Sequence, residues 1–143
     1  MAKAIFDKNH NGIYKVCTDD NINNYNISSD MYNIVDISDD DFANVRKELK
    51  TITYDGTTVS YTDAEHNFPN EASLKTVINS RILQITNFCK PYNQNNAYYT
   101  GVLAYKEALE GIDTSSISYP YEKSLEQYCE DNSITYYHPL QIP

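Results

Sequence analysis

The first half of the chain alternates apolar and polar positions with a period near two. The runs Lys3 to Phe6 and Ile13 to Cys17 predict short strands, separated by the turn-forming Asp7-Lys8-Asn9-His10-Asn11-Gly12. A third strand is expected at Tyr32 to Ile37. Ser38 followed three residues later by Asp41 forms a capping box, which predicts a short helix with Phe42, Val45 and Leu49 on one face. From Thr51 to Tyr61 a hairpin is expected, with Asp55-Gly56 as a two-residue turn that pairs Tyr54 with Thr57 and Ile52 with Val59. Its core face carries Ile52, Tyr54, Thr57, Val59 and Tyr61, and its other face carries Thr51, Thr53, Thr58 and Ser60.

Around Asn67-Phe68-Pro69-Asn70 the period changes to 3.6. Leu74, Val77, Ile78, Ile82, Ile85, Phe88 and Cys89 form a helical stripe ending before Pro91. A second helix is expected from Asn96 to Glu110, with Tyr98, Val102, Tyr105 and Leu109 on one face and Gly111 as its stop. A third begins near Pro120 and turns Leu125, Tyr128 and Cys129 inward. The fold class is α+β, with a β-rich N-terminal half containing hairpins (residues 1–66) and a helical-hairpin C-terminal half (67–143), two lobes of one compact domain.

The last twelve residues, Asn132 to Pro143, carry no formal charge beyond a neutral histidine, yet hold Ile134, Tyr136, Tyr137, Leu140 and Ile142. Leaving such side chains in water costs roughly 1.5–3 kcal/mol each relative to burial. This tail therefore docks, on its own chain or on a neighbour. The stretch Ile112-Asp113-Thr114-Ser115-Ser116-Ile117-Ser118-Tyr119-Pro120, then Ser124-Leu125-Glu126-Gln127-Tyr128, then Pro139-Leu140-Gln141-Ile142-Pro143 resembles the C-terminal ends of short proteins from marine tailed bacteriophages. Those proteins are encoded among tail and tail-fibre genes. The resemblance extends faintly to Tyr32 to Ser38 and to the hairpin at Asp55-Gly56. It implies a virion or tail-associated role, made in the host cytoplasm, and it transfers no catalytic residue.

Composition bears on partners. The net charge of −9 among 143 residues argues against nucleic acid, whose phosphates require clustered Lys and Arg, and against anionic membrane surfaces. No apolar run reaches the ~18 residues of a spanning helix, and the start Met-Ala-Lys-Ala-Ile-Phe-Asp is too poor in apolar residues for a secretory leader. Three widely spaced cysteines, Cys17, Cys89 and Cys129, fit reduced thiols better than a disulfide framework. Leu, Ile, Val and Phe make up only about 22% of the chain, just above the range of disordered sequences. The 14 tyrosines supply the missing apolar area.

Candidate chemistry is sparse. Asp7-Lys8-Asn9-His10-Asn11-Gly12 matches the opening of a calcium loop, which would make Asp7, Asn9 and Asn11 ligands. The twelfth loop position is Thr18 instead of a bidentate acid, and the flanks are strands, so a polar hairpin loop is the preferred reading. Asp36, Ser38 and Asp40 are explained by helix capping. His10, His66 and His138 match no ligand spacing, and Cys89 and Cys129 sit on apolar stripes as small core residues. No nucleophile elbow, phosphate loop or Cys-x-x-Cys pair occurs. The sequence points to no catalytic residue and no cofactor.

Tyrosine is enriched in interface cores. Tyr98, Tyr105 and Tyr128 read as core, whereas Tyr119, Tyr121, Tyr136 and Tyr137, with Leu140 and Ile142, are the interface candidates. The expected function is a non-enzymatic virion component, tail- or fibre-associated, oligomeric in its assembly and contacting other phage structural proteins or copies of itself. The alternatives are a tail-fibre assembly chaperone absent from the mature particle and an acidic inhibitor of a host enzyme.

Overall fold

The computed structural model describes residues 1–143. Its α+β chain divides into two compact units, Met1–Ala64 together with Pro143, and Glu65–Ile142.

In the first unit, β1 (Ala2–Asp7) is the centre of an antiparallel sheet between β2 (Ile13–Thr18) and β3 (Tyr32–Ile37). Central position explains its composition: Ala2, Ala4, Ile5 and Phe6 are all fully buried. Ala2, Ala4 and Phe6 share one face with Val16 and Ile37, while Ile5 and Cys17 lie on the other, over which the turn Asp19–Asn24 packs. A bulge between Ile5 and Phe6 displaces Tyr14, whose ring stacks on Tyr32 at 4.6 Å.

Helix α1 (Asp39–Arg46) starts as the capping pattern predicts, with Ser38 accepting from the Asp41 N–H at 3.0 Å. It ends sooner than the apolar spacing suggests. Glu48 takes a left-handed conformation (φ 56°), and Leu49 N–H bonds back to the Asn44 carbonyl, closing the helix end in a Schellman motif. Leu49 is thereby turned out, 42% exposed, instead of joining Val45 in the core.

The hairpin forms from β4 (Lys50–Tyr54) and β5 (Val59–Asp63), but Tyr54 pairs with Val59 and Ile52 with Tyr61. The loop thus has four residues, not two. Asp55 Oδ1 accepts from both Thr57 and Thr58 N–H, at 2.8 and 2.6 Å, and Gly56 supplies φ 96°. Those bonds draw Thr57 and Thr58 into the turn and hold the Asp55 carboxyl below its usual range, Thr58 contributing most. A slip of two residues leaves every remaining side chain on its expected face. Ile52 is buried and Tyr54 stacks on Phe6 at 4.7 Å.

In the second unit, α2 (Glu71–Phe88) begins in a reciprocal capping box between Asn70 and Ser73 and buries Leu74, Ile78, Ile85 and Phe88. Helix α3 (Tyr99–Glu110) packs against it as a helical hairpin and buries Val102, Tyr105 and Leu109. The Asn96 side chain accepts from Tyr98 N–H in the preceding turn, which delays the helix by three residues relative to its expected start.

Helix α4 (Leu125–Asp131) begins at its Ser124 cap, later than Pro120 suggests. Tyr121 is unavailable to it, because its backbone exchanges two hydrogen bonds with Phe68, at 2.7 and 2.9 Å, in a single β-bridge. At its far end Ser133 is left-handed (φ 58°) and Ile134 N–H bonds to the Cys129 carbonyl, a second Schellman motif that reverses the chain into the tail. No helix is long and apolar enough to cross a membrane.

Candidate protein-contact surface

The uncharged tail folds onto its own helical unit. Gln84 of α2 donates to the Pro139 carbonyl at 3.2 Å, and the Tyr137 ring meets Tyr98 edge-on at 5.5 Å and Tyr105 at 6.4 Å. Gly101 makes room for this ring: a Cβ at that position would lie 2.1 Å from the Tyr137 hydroxyl. The tail also organises itself. His138 Nδ1 accepts from Leu140 N–H at 3.1 Å, and Gln141 Oε1 accepts from His138 N–H at 2.9 Å, fixing a turn over Pro139–Gln141.

This geometry sorts the six interface candidates. Tyr136 and Ile142 are buried inside the chain and offer no surface. Tyr119, Tyr121, Tyr137 and Leu140 are half-buried. Tyr119 donates its hydroxyl to the Thr114 carbonyl at 2.8 Å, and Tyr121 lies between Phe68 (6.5 Å) and Tyr128 (6.1 Å). Burial, then the charge of Asp131, pushes the Tyr121 hydroxyl up to about 12. The expected core tyrosines divide likewise, with Tyr98 and Tyr105 buried and Tyr128 half-buried. The large apolar side chains that this unit leaves open are Leu83, 62% exposed and adjacent to the Gln84 anchor, and Tyr92, 81% exposed just beyond α2. The sequence pattern did not single out either.

Sequence reading also missed a buried ionic cluster. Glu126 of α4 is fully buried, and Arg81 of α2 brings Nε and Nη2 to its Oε1 at 3.1 and 3.0 Å. A signal was present: Leu74, Ile78, Arg81, Ile85 and Phe88 follow one continuous 4-3-4-3 stripe, and a cation in that stripe requires an acid. The Glu126 carboxylate and His138 imidazole place ligand-type atoms within 4.8 Å of one another. The guanidinium already neutralises that carboxylate, which makes this an ion-paired core. Beside it, burial and then Glu126 push the Cys129 thiol up to about 12, so it stays protonated and is a poor nucleophile.

The other sequence candidates serve local structure. Asp7 Oδ1 accepts from Asn9 N–H at 2.7 Å, His10 Nδ1 accepts from Gly12 N–H at 3.1 Å, and Asn11 is left-handed (φ 58°). The oxygen-rich segment holding Asp7, Asn9 and Asn11 is thus the turn between β1 and β2. Asp36 pairs with Lys3, and Ser38 caps α1. A cleft of about 480 Å³ lies on the helical unit, lined by the apolar Ile78, Ile82, Leu109 and Ile112 and by Lys75, Asn79, Glu110 and Thr114. Lys75 is held by Glu71 at 2.9 Å, and Glu71 also accepts from Thr114 at 2.8 Å.

Comparison with protein families, with curated proteins and with solved structures finds no match to this chain.

Proposed function

We propose that this protein is a non-enzymatic structural component of a bacteriophage virion, associated with the tail or its fibres, that acts by protein–protein contact. One observation carries the proposal: the C-terminal packing motif that resembles tail-associated phage proteins is the part that builds this unit. Thr114 and Tyr119 lock the α3–α4 connection, Ser124 and Leu125 start α4, and Pro139 to Ile142 close the unit. A motif that encodes packing supports kinship of architecture, and with it kinship of role.

The chemistry is consistent with contact. The buried carboxylate is paired with Arg81, the buried thiol is protonated, and the cation lining the cleft, Lys75, is held by Glu71. Leu83 and Tyr92, with the half-buried Tyr119, Tyr121, Tyr137 and Leu140, provide apolar surface on an acidic chain. Acidity keeps such a protein soluble in the host cytoplasm until it is assembled. The carboxylates that a nucleic-acid mimic would present are partly neutralised: Asp36 by Lys3, and Asp39 by the N-terminal amine at 3.1 Å.

Quantitative mass spectrometry of purified particles tests the reading. A structural component is present at a fixed copy number, comparable to other tail proteins. Absence from particles, with presence in the infected-cell lysate, would replace this reading with that of an assembly chaperone.

A further inference from the structure

The three-stranded sheet has two edges, and they differ. Strand β2 is blunted by the Tyr14 bulge and by Lys15, two common protections against strand addition. Strand β3, Tyr-Asn-Ile-Val-Asp-Ile, has no Lys, Arg, Pro or Gly, and Ile34 on it is 46% exposed.

The hydrogen-bond pattern identifies which backbone groups lie open along that edge. Lys8 N–H bonds to the Met31 carbonyl at 2.9 Å, in register with the β1–β3 ladder, which makes that pair a hydrogen-bonded one. Pairs alternate in an antiparallel ladder, so Phe6–Asn33, Ala4–Val35 and Ala2–Ile37 are also bonded. Tyr32, Ile34 and Asp36 therefore turn their N–H and C=O groups away from β1. Two bonds agree with this phase: Tyr32 N–H goes off-ladder to the Ser28 carbonyl at 3.1 Å, and Asp7 N–H points to the β2 side at Gly12, 2.8 Å.

We propose that this edge pairs antiparallel with β3 of a second copy about a two-fold axis through Ile34, joining two sheets into one of six strands. In that register the N–H of Ile34 meets the Ile34 carbonyl of the other copy, and the N–H of Asp36 meets the Tyr32 carbonyl. The two-fold doubles each, giving four hydrogen bonds. Ile34 faces Ile34 across the axis, and Tyr32 stands opposite Asp36 along the paired strands. The two Asp36 side chains sit four residues apart, roughly 13 Å at strand rise, beyond the ~8 Å screening length at physiological salt. The competing register about Val35 also gives four bonds, but sets those carboxylates only about 7 Å apart and opposes each to Ile34. The apolar Ile34–Ile34 contact therefore selects the register centred on Ile34. Asp36 is also neutralised within its own chain by Lys3, so the edge adds little repulsion between two acidic molecules.

This self-association stands independently of the virion role, and its test uses the isolated full chain. In a Cys89→Ser background, the symmetric position Ile34→Cys is expected to give a disulfide-linked dimer on mild oxidation, since opposed residues in a bonded pair have Cα atoms about 5.5 Å apart. Asp36→Cys, far from its mate, is expected not to cross-link. Ile34→Lys sets like charges face to face and should weaken the dimer about tenfold or more in sedimentation equilibrium, with an unchanged circular dichroism spectrum. A wild-type chain monomeric across the concentration series, or Asp36→Cys cross-linking as readily as Ile34→Cys, overturns the proposal.

Discussion

Arg81 brings two nitrogens, Nε at 3.1 Å and Nη2 at 3.0 Å, to the same oxygen of Glu126, and the second carboxylate oxygen is buried without a hydrogen-bond partner. The pair ties α2 to α4. Removing one member of such a pair strands the other, which costs roughly 3–5 kcal/mol, whereas replacing both by apolar groups is often neutral or favourable.

Glu126→Leu alone should therefore lower unfolding free energy by roughly 3–5 kcal/mol. Arg81→Met combined with Glu126→Leu should return it to the wild-type value or above. Denaturant titrations of the two variants check this. Additive losses in the double variant would show that the pair is not coupled in this way.

Gly101 and Tyr137 make a second coupled pair. Glycine inside a helix ordinarily costs about 1 kcal/mol relative to alanine, so Gly101→Ala would normally stabilise α3. Here the added methyl would lie 2.1 Å from the Tyr137 hydroxyl and 3.0 Å from its ring carbon. Gly101→Ala should destabilise by about 1–3 kcal/mol through overpacking, and Tyr137→Phe in the same chain should recover part of that loss. A Gly101→Ala chain with a raised melting temperature would place the Tyr137 ring elsewhere.

The buried thiols set the alkaline limit of stability. Burial, then Asp19, holds the Cys17 thiol at about 11 against an ordinary 9.0, and Cys129 is held at about 12. Tyr61, shielded from solvent and close to Asp41, is raised to about 12. Each group keeps its proton more tightly when folded, so its contribution is complete below the unfolded pKa and declines as pH rises from 9 toward 12. Denaturation midpoints should fall over that window. Near neutral pH, alkylation should reach the half-buried Cys89 well before Cys17 or Cys129. Early labelling of Cys129 would contradict its burial.

Strands and helices with an unbroken period were legible in the residues themselves: β3 at Tyr32–Ile37, and α2 through its stripe from Leu74 to Phe88. Details set by side-chain to backbone bonds were not. Asp55 drew two extra residues into its turn, and Phe68 held Tyr121 out of α4. Glu48 adopted the left-handed conformation that glycine usually supplies at a helix end. The destination of the tail was likewise hidden, because an apolar, uncharged segment signals burial without identifying the surface that covers it. In the structure Gln84 and the Tyr98 ring of the helical unit meet it.

The most direct measurement compares thermal unfolding and light scattering of the full chain with those of a chain ended after Asn132. Losing buried Tyr136 and Ile142, at roughly 1.5–3 kcal/mol each, should abolish cooperative unfolding of the helical unit, and the shortened protein should lose helical signal. A truncated chain that keeps the full-length melting temperature and helicity, but no longer associates, would contradict the account and make the tail an interface segment.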